Sequence, residues 1–159
     1  FMFHVRVDYP TRDDEREIIE RTTGAFDVKL QPVISGVDII ECQQIVRKVP
    51  VPRHVTDFVL DLVRKLRPKS VEALSFVKEL VAWGPGPRAC QHLVLGGKVR
   101  AILAGRFHVT IDDIIALALP ILRHRIVVTF HAEAEGIGVD EIIGRMLESM
   151  PRLEGKRVY

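Results

Sequence analysis

Apolar residues recur at helical spacing along most of this chain. Val55, Phe58, Val59, Leu62, Val63 and Leu66 follow i, i+3, i+4, i+7, i+8, i+11, a full stripe on a helix that Pro68 brings to an end. Ala73, Phe76, Val77, Leu80 and Val81 repeat the spacing on a helix predicted to stop at Gly84, and another helix runs from Arg88 to about Gly105. Thr110 is placed to cap a helix carrying Ile111, Ile114, Ile115, Ala118 and Leu122, which Pro120 is expected to kink or split. Val139, Ile142, Ile143, Met146, Leu147 and Met150 mark the last helix. Nearer the start, Thr11 with Asp14 resembles a capping box opening a helix to about Arg21. Residues 23–36 read as a connection, with Gly24, Pro32 and Gly36, and Ile39, Cys42, Val46 and Val49 give a short helix.

One segment has a different period. Phe3, Val5, Val7 and Tyr9 alternate with His4, Arg6 and Asp8, as in a strand, and nothing after it reads as a partner strand. A lone strand cannot satisfy its backbone groups, so this segment is expected to belong to a sheet in a preceding domain. The chain, which starts at Phe1, accordingly reads as the C-terminal piece of a longer protein. The expected fold is an all-α helical bundle of seven helical stretches preceded by one orphan β-strand. Residues 1–10 would be strand and hinge, the hinge lying near 8–11; 11–150 would be the helical domain and 151–159 a tail.

Composition narrows the function classes. With 159 residues, 47% hydrophobic and 28% charged, the chain can bury one good core. Its net charge of +2 is spread among interspersed signs, so no block suggests a nucleic-acid tail. No apolar run approaches the ~20 residues that span a bilayer, and the first residues lack a signal-peptide pattern, so a cytoplasmic protein without a membrane partner is expected. Cys42 and Cys90 suggest buried thiols, not a disulfide framework.

The candidate chemistry centres on Trp83-Gly84-Pro85-Gly86-Pro87-Arg88-Ala89-Cys90. A helix beginning at Pro87 puts Arg88 in its first turn, where the helix dipole disfavours a cation by roughly 0.3–1 kcal/mol. A bound anion removes that conflict, and the free N–H groups of Arg88, Ala89 and Cys90 would point outward toward it. The opposing reading is a solvated arginine. Trp83 could pack beneath this loop or stack on a base, core packing being the simpler role.

Other features carry less. Gly96-Gly97-Lys98-Val99 departs from a P-loop at two positions, so the glycines point to close helix packing. His124 and His131 would share a face only on a continuous helix, and zinc spacing is lacking, so no metal site is assigned. Arg123-His124-Arg125 reads as a solvated helix end or as an interface with an acidic subunit, and Glu133 and Glu135 read as surface charges.

Five segments in order resemble one family. They are Phe3 to Pro10 with the acidic helix after it, residues 83–89, Arg106 to Ile114, Leu122 to Val127, and His131 to Gly136. Together they look like the C-terminal part of a MoxR-type AAA+ ATPase. The resemblance implies a helical lid following an α/β nucleotide-binding core, with residues 1–9 similar to that core's last strand. The family's Gly-Ala-Ser-Pro-Arg-Ala segment carries the sensor 2 arginine, which maps onto Arg88; here Pro85 and Gly86 replace Ala and Ser. It further implies Arg88 as the catalytic contact to the terminal phosphate, with Pro87 and Tyr9 beside it at the nucleotide. ATP with Mg2+ would be held mostly by the core. The expected partners are that core, neighbouring subunits of a ring, commonly a hexamer, and proteins with von Willebrand factor A domains. The chain alone, lacking Walker A and Walker B, is not expected to hydrolyse ATP. A chaperone-like role in maturing client complexes is implied in the same way.

Two rivals remain. A mildly basic bundle can hold a helix-turn-helix for DNA, although Lys98 and Arg100, two residues apart, leave no single basic stripe. The other is an assembly domain whose Arg88 binds nothing.

Overall fold

The computed structural model describes residues 1–24 and 29–151. Part of the expected connection (25–28) and most of the expected tail (152–159) lie outside the described residues. The chain divides into two compact units, Val5–Gln43 and Phe1–His4 with Gln44–Tyr159.

In the first unit, α1 (Arg12–Thr22) starts as the capping-box pattern predicts. The Thr11 hydroxyl donates to Asp14 Oδ2 at 2.6 Å, and the Asp14 N–H donates back to Thr11 Oγ1 at 3.3 Å. The next helix, α2 (Gly36–Lys48), begins three residues before the apolar pattern does. Ser35 supplies its cap: the Asp38 N–H donates to Ser35 Oγ at 3.2 Å. Neither helix has a buried residue, and Cys42, expected to be buried, is exposed.

Eight elements follow: α3 (Arg53–Lys65), α4 (Ser75–Leu80), β1 (Val81–Trp83), α5 (Pro87–Leu103), α6 (Ile111–Leu122), β2 (Val127–Val128), α7 (Phe130–Ala134) and α8 (Val139–Ser149). The core is the meeting of the predicted stripes. Val55, Phe58, Val59, Leu62 and Val63 of α3 face Ala89 and Leu93 of α5, Ile114, Ala118 and Ile121 of α6, and Ile142, Ile143 and Met146 of α8. Gly96 and Gly97 let α5 and α6 approach, since a Cβ at Gly97 would stand 2.8 Å from Val109 Cγ1.

The turn between α5 and α6 is locked by charge. Gly105 takes φ +67°, and Arg106 then donates to both carboxylate oxygens of Asp113, at 2.7 and 2.6 Å. Thr110 adds its N–H and hydroxyl to Asp113 Oδ2, each at 3.0 Å, and Arg100 Nε lies 3.5 Å from Oδ1. Burial pushes the Asp113 carboxyl up, but the Arg106 and Thr110 bonds and the Arg106 charge outweigh it and take the pKa down to about 2.

Residues 3–9 form no ladder among the described residues, and His4 donates its N–H to the Pro120 carbonyl at 2.7 Å. Three expectations change. The stripe at 73–81 is not one helix: α4 stops at Leu80, and Val81–Trp83 pairs antiparallel with Val127–Val128 in a two-stranded ribbon with a bulge. A short helix, α7, follows that ribbon, so His124 and His131 share no helix. Pro120 does not split α6, which ends two residues later at Leu122, so the ring and the missing N–H disturb only the last turn.

Candidate functional site

The end of α5 that bears Arg88 is built by its neighbours. Thr129, just past β2, donates its N–H to the Leu80 carbonyl at 2.9 Å and its hydroxyl to the Glu79 carbonyl at 3.0 Å, fixing the ribbon to α4. From Trp83 the chain enters Gly84-Pro85-Gly86, and the backbone at Gly84 rests on the end of α3: a Cβ there would lie 2.3 Å from the Leu66 carbonyl oxygen. The Arg67 guanidinium then donates through Nε to the Pro85 carbonyl at 2.9 Å. Two independent contacts thus hold the loop before α5 begins.

The helix start itself is bare. Gly86 at the N-cap (φ −83°, ψ −179°) offers no side chain, Pro87 takes the first helical position, and no acid stands in the first turn. The Ala89 N–H is not free as expected; it donates to the Gly86 carbonyl at 3.0 Å. Arg88 is exposed and has no hydrogen bond or ion pair among the described residues. An unpaired guanidinium at the positive end of a helix fits an anion and not a metal ion. Among the described residues no group of three His, Cys, Asp or Glu could hold a metal, so this region supplies no cage for Mg2+.

Of the three residues expected at a nucleotide, Pro87 and Arg88 stand together here, and Tyr9 is an exposed residue of the Val5–Gln43 unit. Trp83, expected in the core, is 68% exposed. The ribbon turns it outward, where with Arg67, Pro68, Lys69 and Pro85 it lines a cleft of about 230 Å3 beside the loop. Cys90, one turn into α5, is half-buried, and burial pushes its thiol up.

In the basic run Arg123-His124-Arg125, expected to be a solvated helix end, the two arginines are half-buried and paired within the chain, while His124 is exposed. Arg123 forks onto Asp140 of α8, with Nε to Oδ1 at 3.0 Å and Nη2 to Oδ2 at 2.9 Å, and its side chain is only 13% exposed. Arg125 meets His92 of α5, Nη2 to Nδ1 at 2.7 Å. No local sequence pattern signals that contact, since the two residues lie 33 positions apart. Lys98 is likewise engaged internally, Nζ donating to the Arg47 carbonyl at 3.0 Å, which removes it from any groove-reading face. Among the described residues no helix is long and apolar enough to cross a membrane.

Comparison with known proteins agrees with this architecture. Residues 74–146 match the AAA lid domain family. The chain is 31% identical over 150 residues to Chaperone MoxR1 of Mycobacterium tuberculosis, and 26% identical over 151 residues to the uncharacterized protein YeaC of Bacillus subtilis. Each alignment covers 94% of this chain, but 40% of the first relative and 44% of the second. A crystal structure of a candidate ATPase from Cytophaga hutchinsonii superposes with a TM-score of 0.86 at 28% identity, over 95% of this chain and 46% of that one. The chain thus spans less than half the length of these relatives.

Proposed function

Because the chain belongs to the MoxR-type AAA+ family and carries its AAA lid domain, we propose that it is the helical lid over a nucleotide site and that Arg88 is its sensor 2 arginine. The observation that carries this reading is the exposed, unpartnered Arg88 guanidinium on an uncapped helix start, held in place by Gly84 and Arg67. In this reading an α/β core joined to residues 1–9 binds ATP with Mg2+. Arg88 donates two parallel N–H bonds to phosphate oxygens through its planar guanidinium. Pro87 presets the first turn, and Tyr9 lies beside the nucleotide at the hinge near residues 8–11. Charge placed where phosphoryl transfer develops it lowers the barrier, so Arg88 acts on turnover more than on affinity.

The wider reading follows from the family. Lid rotation about the hinge would couple nucleotide state to the shape of a ring, commonly hexameric, in the cytoplasm. The name Chaperone MoxR1 supports a chaperone-like role; in this reading that role is the maturing of client complexes, with von Willebrand factor A domain proteins as partners. The test is Arg88→Ala in the protein carrying both core and lid. ATP turnover is expected to fall about tenfold or more with the fold intact. Unchanged turnover would remove the sensor assignment and leave a purely structural assembly domain.

A further inference from the structure

One guanidinium gathers three separate stretches of the chain. Arg125 Nε donates to the Ile121 carbonyl in the last turn of α6 at 2.8 Å, and Nη2 donates to the Phe1 carbonyl at 2.5 Å and to His92 Nδ1 at 2.7 Å. None of these partners is a carboxylate; the negative end of α6 and a backbone oxygen answer its charge. The segment Phe1–His4 is fixed on both sides of this junction. His4 donates its N–H to the Pro120 carbonyl at 2.7 Å, Arg123 Nη1 reaches the His4 carbonyl at 3.4 Å, and the Met2 methyl lies close above Gly96 of α5.

The chemistry of the His92 contact is determined by its partner. A guanidinium has no acceptor, so His92 must receive the bond on the Nδ1 lone pair, and its proton resides on Nε2. The imidazole is therefore neutral, in keeping with the burial and the Arg125 charge that hold its pKa below the ordinary value. His92 stands four residues after Arg88 on α5, which is one turn along the same face. The path from Phe1–His4 through Arg125 to the turn bearing Arg88 is thus two hydrogen bonds long.

We propose that Arg125 is a positioning residue: acting through His92, it keeps the first turns of α5, and with them Arg88, in register with the Phe1–His4 segment. Movement of that segment is passed to the guanidinium of Arg88. This rests on the sensor reading of Arg88, and the experiment separates the two.

In the protein carrying core and lid, Arg125→Met and His92→Leu are expected to lower kcat for ATP about tenfold while KM changes less than about threefold. Amide hydrogen exchange across Ala89–Leu93 should quicken in both. His92→Asn, whose Oδ1 can take the place of Nδ1, should restore most of kcat and the protection. Equal losses in His92→Asn and His92→Leu overturn the proposal, as does normal kcat per folded protein in the His92→Leu variant. If Arg125→Met does not fold, the His92 pair decides. Slowed turnover in Arg88→Ala beside normal turnover in His92→Leu overturns positioning alone; unchanged turnover in Arg88→Ala overturns both.

Discussion

Gly84 lies so close to the carbonyl oxygen of Leu66 that a methyl group there would stand 2.3 Å from it and 2.8 Å from Arg67 Cα. Both obstacles are backbone, so neither can swing aside as a side chain would. Gly84→Ala must therefore move the loop or the end of α3, and a loss of at least about 2 kcal/mol is expected, with Arg88 displaced. Gly86, two residues on, has nothing within 4 Å of its Cβ position and a φ of −83° that any residue adopts. Gly86→Ala should cost no more than about 1 kcal/mol, as an N-cap change. Thermal unfolding of the two variants checks the contrast; equal costs would show that the close contact is not what selects glycine.

The Asp113 cluster gives an acid signature. Its pKa lies at about 2 in the folded chain against an ordinary 3.8, so the folded state favours the ionised form. The resulting stability is present above the ordinary value and is lost as pH falls from about 3.8 through about 2, an effect of about 2 kcal/mol for a side chain that is 2% exposed. Asp113→Asn leaves Arg106 and Arg100 without their carboxylate and should cost about 3 kcal/mol at neutral pH. That variant should also lack the acid-dependent loss. Urea unfolding from neutral pH down to pH 2 measures both, and a parallel pH slope in the two proteins would refute the assignment.

Periodicity carried the fold where elements were long enough to show it. The α3 stripe from Val55 to Leu66 was legible because every apolar position in it is buried. Val81 was drawn into the preceding helix because its spacing suits both structures, and a three-residue strand cannot set a period of its own; its partner, Val128, is far along the chain. Residues 3–9 mark a limit of the same signal, since alternation reports facing and says nothing of pairing. At the site, the glycines and prolines revealed where α5 begins, because they act on their own backbone. Arg67 and Arg125 were invisible there: the contact to Pro85 spans 18 positions and that to Phe1 spans 124.

Trp83 tests how far the loop depends on its neighbours. Its side chain is exposed beside Arg67 and Lys69, so little apolar surface is lost if it is shortened. Trp83→Ala is expected to shift stability by no more than about 0.5 kcal/mol, in contrast with the about 3–5 kcal/mol of a core tryptophan. Denaturant unfolding followed by far-ultraviolet circular dichroism is the appropriate measurement, since the substitution removes the fluorophore. A core-sized loss would mean that the ring is buried after all.

Two glycines in helices separate packing from propensity. Alanine is favoured over glycine within a helix by about 1 kcal/mol, so each replacement gains that much unless the new methyl collides. At Gly144 in α8 nothing lies within 4 Å of the Cβ position, and Gly144→Ala should stabilise the protein by up to about 1 kcal/mol. At Gly97 the methyl would meet Val109 Cγ1 at 2.8 Å and Ile114 Cδ1 at 3.1 Å. Both of those side chains are fully buried and branched, so they have little room to yield. The overpacking cost of about 1–3 kcal/mol should cancel or exceed the helical gain, making Gly97→Ala neutral to destabilising. Midpoints of thermal unfolding should therefore move in opposite directions or differ by several degrees. A matching rise in both would mean that α5 and α6 can separate at little cost, and that close approach is not why glycine stands at 97.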